Sequence, residues 1–466
     1  MTLIIDRLFT PSLAQVAYFV ADENAGEVAV IDPRRDIDGY LAWAAERDLR
    51  IVAVLETHVH ADFVSGGPEL SEATSAPLYT SRLGEQTFDH VALDDGDSIS
   101  VGGLKIQAYF TPGHTPEHMS YLLFDPAHGS EPVALFTGDA LFVGDVGRPD
   151  LLGAAQTADL AAKLHSTVTD RFLPLPDNVI VYPGHTAGSS CGKAIGDAPD
   201  STIGTERRNN YALQPMGRES FVDTVLKDMP IAPTYYPQLK VVNKVGSRSL
   251  DIVPDGTSLD ADAVAVLLQE GALVIDTRET EEFAAGHIPG SLAIAWGSSF
   301  LEWMGWIAPY DRDLVLILDD ESTYDEIRTE LQRIGLDRVA GYLKGGLSAW
   351  KADERPVETL ETISVDELSR ALATSEAPVL LDVRRAGEWT TSHIDGAEHV
   401  YAGSLAQGAD VDIDDDRMTA LICGTAYRSA VAASLLKKRG HHNLVNVTGG
   451  MDAWLERGLP VESSTR

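Results

Sequence analysis

The stretch Thr57-His58-Val59-His60-Ala61-Asp62-Phe63 sets three metal-ligating side chains directly after an apolar run, Ile51 to Leu55. Later runs end in the same way. His114 in Thr111-Pro112-Gly113-His114-Thr115 follows Ile106 to Phe110, and Asp139 in Phe136-Thr137-Gly138-Asp139-Ala140 follows Val133 to Phe136. His185 in Tyr182-Pro183-Gly184-His185 follows Val179 to Tyr182. Short apolar runs read as buried strands, so the polar residues would stand on exit loops held by a rigid sheet, where chemistry is usually placed. Imidazole nitrogen and carboxylate oxygen suit zinc, iron, manganese or nickel, whereas a thiolate set would mark a structural site. The pattern predicts a catalytic metal centre. One such histidine alone reads as a surface or hydrogen-bonding residue; it is the combination that points to a metal.

The order His-x-His-x-Asp, His, Asp, His resembles the metallo-beta-lactamase superfamily, and within it the persulfide dioxygenase branch. The resemblance implies an αββα sandwich that binds one Fe(II) per chain through His58, His114 and Asp139, with zinc as a substitute. Two imidazoles and one carboxylate leave coordination positions open for a sulfur substrate and O2. Where two-metal members carry a second-site histidine, this chain has Phe63, which has no lone pair to give. His60, Asp62 and His185 are then expected as pocket residues that orient ligands or hold a water, with Tyr182 as a weaker candidate or a packing residue. Cys191, in Ala187-Gly188-Ser189-Ser190-Cys191-Gly192, is either a packing residue or part of the substrate entrance. Arg148 and Arg207 are candidate contacts for an anionic thiol carrier.

A second pattern fixes the other half of the chain. Ile275-Asp276-Thr277-Arg278, Glu282-Phe283 and Gly286-His287-Ile288-Pro289-Gly290 recur as Leu381-Asp382-Val383-Arg384, Glu388-Trp389 and Ser392-His393-Ile394-Asp395-Gly396. Both copies reach a shared block, Gly345-Gly346-Leu347-Ser348-Ala349-Trp350 and Gly449-Gly450-Met451-Asp452-Ala453-Trp454. Two related modules are present. Alternating strand and helix patterns predict compact α/β modules with a mainly parallel sheet, in which the Asp-x-Arg pairs and the two histidines organise structure.

The repeat resembles the rhodanese, or sulfurtransferase, family. In the second copy, Leu421-Ile422-Cys423-Gly424-Thr425-Ala426-Tyr427-Arg428-Ser429 places a cysteine between a strand and a helix. Surrounding N–H groups and a helix N-terminus favour thiolate, so Cys423 is the expected sulfur-accepting nucleophile, with Arg428 holding an anionic sulfur donor. Counting back from Gly345 by the interval between Cys423 and Gly449 reaches Asp319, which cannot form a persulfide. The first copy is expected to be inactive.

The expected architecture is α/β multidomain: a metallo-beta-lactamase-like domain over 1–244, an inactive rhodanese-like domain over 247–357 and an active one over 358–466. A length of 466 residues accommodates three such cores, and 44% hydrophobic content is ordinary for globular domains. A formal charge of -35 argues against nucleic acid as a partner, and no apolar run approaches the roughly 20 residues that cross a bilayer. Two cysteines rule out a disulfide scaffold and fit a reducing, cytoplasmic setting; the early acidic residue Asp6 does not fit a signal peptide.

The fusion implies iron-dependent oxidation by O2 of a glutathione-like or other small-thiol persulfide to sulfite and thiol. Sulfur exchange through Cys423 would take thiosulfate as substrate or product, and the chain is compatible with a homo-oligomer. The competing expectation is a glyoxalase II-like thioester hydrolase carrying rhodanese modules, in which the metal would activate water.

Overall fold

The computed structural model describes residues 2–463, so residue 1 and residues 464–466, the outer ends of the first and third expected domains, lie outside the described residues. The chain gathers into two compact units, Met1–Ile252 with Gln332–Gly335, and Val253–Leu331 with Leu336–Arg466.

The first unit holds two six-stranded sheets. One runs in chain order through Leu3–Thr10, Gln15–Asp22, Glu27–Ile31, Arg50–Leu55, Leu78–Ser81 and Val91–Leu93. The other runs Ser201–Thr202, Ile180–Pro183, Ala134–Gly138, Met119–Phe124, Leu104–Phe110 and Ser98–Val101. The strand Gln15–Asp22 shows why some strands read as continuous apolar runs: both of its faces are covered. Val16, Tyr18 and Val20 pack between the sheets with Ile106, Tyr121 and Phe136. Ala17, Phe19 and Ala21 face outward onto Tyr40, Ala44 and Leu70, from the helices Asp38–Ala45 and Gly67–Thr74. Phe19 stacks on Trp43 with ring centroids 4.1 Å apart; a ring so enclosed carries about 3–5 kcal/mol against truncation to alanine. The helices Ala154–Thr167 and Arg218–Leu226 cover the second sheet through Leu164, Phe221 and Val225. The result is an αββα sandwich.

Strand direction sets the site. Leu104–Phe110 and Ala134–Gly138 are each antiparallel to Met119–Phe124, and Ile180–Pro183 is parallel to Ala134–Gly138. All three ligand-bearing strands of this sheet therefore end at one edge, where the loops with His114, Asp139 and His185 meet.

The second unit contains two five-stranded sheets of identical order. Thr257–Leu259, Val339–Leu343, Leu314–Ile317, Leu273–Asp276 and Leu292–Ala293 form one, and Glu361–Ser364, Leu444–Thr448, Thr419–Ile422, Val379–Asp382 and Glu398–His399 the other. Every pairing in both is parallel. Each Asp-x-Arg turn closes as an ion pair: Arg278 Nε lies 2.8 Å from Asp276 Oδ1, and Arg384 Nε 2.9 Å from Asp382 Oδ1. Each guanidinium then reaches a carbonyl eight residues on, that of Gly286 or Ser392. The two modules adjoin, with Ala293 N–H donating to Ser434 Oγ at 3.2 Å and His287 N–H to Glu358 O at 2.8 Å. Among the described residues, no helix is long and apolar enough to cross a membrane.

Candidate metal centre and cysteine loop

His58, His114 and Asp139 are all buried, and their ligand atoms lie within 4.8 Å of one another. His114 Nε2 is 3.5 Å and His58 Nε2 3.9 Å from Asp139 Oδ2. None of these three atoms has a hydrogen-bond partner among the described residues. Buried polar atoms are nearly always satisfied, so three orphans facing one point fit a cation.

The chain around them fixes which nitrogen is offered. Thr57 Oγ1 donates to Asp32 Oδ2 at 2.8 Å and accepts from His58 Nδ1 at 2.9 Å, leaving Nε2 a free lone pair. His114 Nδ1 donates to the Arg148 carbonyl at 2.9 Å, with the same effect. The Asp139 N–H donates to His118 Nε2 at 3.1 Å, and His118 Nδ1 is 2.9 Å from Thr111 Oγ1. Burial pushes His118 down to about 3, keeping it a neutral acceptor. Gly138, at φ +47°, turns the strand here; a Cβ would meet Thr57 Oγ1 at 2.5 Å. Burial, reinforced by Asp62 and opposed by His185 and His60, raises Asp139 to about 6, and the neighbouring histidines His58 and His114 are held well below their usual range by burial and by surrounding positive charge.

The second histidine of the signature faces another way. His60 Nε2 lies 2.9 Å from Glu56 Oε2 and 3.2 Å from Asp32 Oδ1. Burial alone would lower it, but Asp32 and Glu56 together hold it well above the usual histidine range. Phe63 is fully buried, with its ring 4.3 Å from that of His60. A third buried group joins Asp62, His185 and Cys191, again with ligand atoms within 4.8 Å. His185 Nε2 is 3.1 Å from Asp62 Oδ2 and 3.6 Å from Asp139 Oδ1, so this group adjoins the first. Cys191 Sγ sits 3.9 Å from Tyr236 Oη, and burial together with Asp62 and Asp139 pushes its thiol up to about 12.

Three other expected residues stand elsewhere. Tyr182 is not in the metal pocket: it stacks on Phe136 at 5.2 Å and packs beside Tyr18 between the sheets, because its strand alternates and position 182 turns inward. Arg148 is buried and committed to structure, bound to Asp150 at 2.7 and 2.8 Å and to the carbonyls of Ser190 and Pro230. It holds the loop of His114 against the loop of Cys191. Arg207 is occupied by Asp177 and the carbonyls of Leu173 and Leu175.

In the second unit, Cys423 is buried at the end of the strand Thr419–Ile422. Its Sγ accepts from Ala426 N–H at 3.2 Å and Ser429 Oγ at 3.4 Å. Ala426 adopts φ +94°, which folds the loop back before the helix Tyr427–Lys438. Arg428 makes a two-pronged pair with Glu388 at 2.6 and 2.7 Å. Glu388 is held below the usual carboxylate range, burial being outweighed by that guanidinium. The cleft at the loop mouth, about 320 Å³, is lined by Arg385, Glu388, Tyr401 and Arg428 and by Glu302 and Trp303 of the preceding module. The glycine block closes the loop from behind: Met451 N–H donates to Cys423 O at 2.7 Å, and a Cβ on Gly450 would run into the carbonyl oxygens of Cys423 and Gly424.

The counterpart in the first module is Leu318, which corrects the expected Asp319 by one residue. Ile317 pairs with Asp276 as Ile422 pairs with Asp382, so the next residues, Leu318 and Cys423, correspond. Counting from the glycine block missed this because the first module has one more residue between strand end and block. Asp319 instead begins the loop, where Asp320 Oδ1 accepts from Ser322 N–H at 2.9 Å and Glu321 Oε1 from Gly345 N–H at 2.7 Å.

Sequence reasoning missed Asp32, Glu56, Thr57 and His118. Asp32 carried a signal: it too follows an apolar strand, Glu27–Ile31, and takes φ +52°.

Comparison with known proteins agrees with this layout. The metallo-beta-lactamase superfamily model matches residues 11–185, and the rhodanese-like domain model matches 260–353 and 364–457. The mitochondrial persulfide dioxygenase ETHE1 of Bos taurus is 32% identical over 190 residues, 39% of this chain and 68% of that protein. A probable metallo-hydrolase of Burkholderia pseudomallei is 31% identical over 247 residues, 45% of this chain and 80% of that one. A solved metallo-beta-lactamase from Staphylococcus aureus superposes with a TM-score of 0.67 at 33% identity, covering 73% of this chain and 99% of that one.

Proposed function

Because the chain belongs to the metallo-beta-lactamase superfamily, carries two rhodanese-like domains and is related to ETHE1-like persulfide dioxygenases, we propose that it oxidises a small-thiol persulfide with O2 to sulfite and thiol. The balanced reaction is RSSH + O2 + H2O giving RSH, SO3²⁻ and two protons. The observation that carries this reading is the convergence of three unpartnered buried atoms, His58 Nε2, His114 Nε2 and Asp139 Oδ2.

Fe(II) held by these atoms, one per chain, would supply the O2 chemistry, with zinc as an inactive substitute. Thr57 and Asp32 fix the His58 tautomer, the Arg148 carbonyl fixes that of His114, and His118 holds the Asp139 backbone. Phe63, fully buried against His60, offers no ligand where a second metal would sit. Cys423 then exchanges sulfane sulfur: its persulfide passes the outer sulfur to sulfite, releasing thiosulfate and the Cys423 thiolate, or the reverse. Ala426 N–H and Ser429 Oγ stabilise negative charge on that sulfur, and Arg428 attracts the oxyanion. The working domain limits are 1–244, 247–357 and 358–466.

The test is iron content after anaerobic preparation, followed by O2 uptake with glutathione persulfide. About one iron per chain and stoichiometric O2 use, both lost in His114→Ala, are expected. Zinc retention with no O2 use after iron reconstitution would favour the thioester hydrolase, a reading supported by the adjoining group of Asp62, His185 and Cys191.

A further inference from the structure

The helix Tyr236–Val245 lies beyond the region matched to the superfamily model, yet it packs on the metal centre. At one end of its inner face, Tyr236 Oη stands 3.9 Å from Cys191 Sγ. At the other, Asn243 Nδ2 donates to the carbonyls of His60 and Phe63 at 2.9 and 2.7 Å, and its Oδ1 accepts from Ser65 N–H at 2.9 Å. Lys240 is four residues after Tyr236 and three before Asn243, so it projects from the same face between these two anchors.

Its Nζ is buried and has no hydrogen-bond partner among the described residues. Burial draws Lys240 below the usual lysine range, opposed by Glu117, Cys191 and Asp150, and its positive charge bears on both His58 and His114. Glu117 accepts from Val59 N–H at 3.0 Å next to His58 and makes no hydrogen bond to Lys240. A buried ammonium left without a partner is costly, and an anion brought in by binding removes that cost.

We propose that Lys240 Nζ is an anion subsite of the metal pocket, built to take a small sulfur oxyanion, sulfite. The subsite rests on the persulfide-oxidation reading, since it places a cation where the reacting sulfur gains oxygen and negative charge. Arg148 spends four of its five N–H donors on Asp150 and two carbonyls, whereas Lys240 Nζ has no partner among the described residues.

Calorimetric titration of sulfite into the anaerobic, iron-loaded full chain tests it. All variants carry Cys423→Ser, which removes the persulfide that sulfite would attack. Lys240→Met is expected to weaken sulfite binding at least tenfold with iron content unchanged and the melting temperature equal or higher, since the uncompensated charge is gone, and Lys240→Arg to recover most of the binding. Should Lys240→Met not fold, Lys240→Gln is titrated instead, with the same expectation. Wild-type affinity in a folded uncharged variant, or equal loss in Lys240→Arg, overturns the subsite. Sulfite binding that depends on Lys240 in a chain that consumes no O2 would preserve the subsite while overturning the reaction. The opposite result, O2 uptake with binding indifferent to Lys240, would do the reverse.

Discussion

The two modules of the second unit share sheet order, the Asp-x-Arg clasp and a tryptophan whose indole N–H reaches a proline carbonyl six residues on, Trp350 to Pro356 and Trp454 to Pro460. They part at the end of one strand. Cys423 is met by an amide and a hydroxyl, whereas Leu318 gives way to a loop whose own carboxylates cap its turns. The scaffold is thus held by interactions remote from the loop, and chemistry resides in a handful of residues grafted onto it.

The largest effect should come from the point of divergence. Cys423→Ala is expected to lower thiosulfate sulfur transfer about 10³-fold or more, measured as thiocyanate formation with cyanide, while O2 uptake persists. Adding Leu318→Cys to that variant should restore nothing, because the first loop spends its polar groups on itself; recovered transfer would show that the sulfur alone makes the site. Next come the shared clasps. Asp276→Ala and Asp382→Ala each remove the carboxylate from an enclosed guanidinium, Arg384 buried and Arg278 largely so, and should cost about 3–5 kcal/mol in denaturant unfolding. A markedly smaller loss in one module would break the claim of equal scaffolds.

The smallest effect concerns pH. Glu388 is held below its usual range by Arg428, so its contribution is present above roughly pH 4.5, the unfolded value, and is lost as pH falls through the lower folded value. Glu388 is more than a third exposed, which limits this to less than about 1 kcal/mol. Acid unfolding of Glu388→Gln should be slightly less pH-dependent than that of wild type; an unchanged profile would remove the ion pair from the account.

Much of this was legible in the chain. The ligand motifs end apolar runs, and the repeat announces itself by spacing, so the sandwich and the paired modules follow from local pattern. What sequence could not resolve depends on contacts across space. Asp32 and His118 matter because other strands bring them to the site, Glu56 because the exit loop turns His60 back onto it, and Lys240 because a helix outside the signature region crosses it. Tyr182 reads as either a weak pocket candidate or a packing residue, and strand alternation decides for packing once it is followed to the sheet face. Arg148 and Arg207 read as free cations until their local carboxylates and carbonyls are counted.

The fit of Gly450 against the cysteine loop couples two separate segments of the chain. Cβ-free backbone there touches the carbonyls of Cys423 and Gly424, while the matching Gly346 has only Leu318 O nearby, at 3.3 Å. Segments 27 residues apart in the copy with Cys423 are therefore fitted to one another, so that any side chain introduced at position 450 would displace the cysteine loop from a distance in the chain. The copy with Leu318 has more room at the same place.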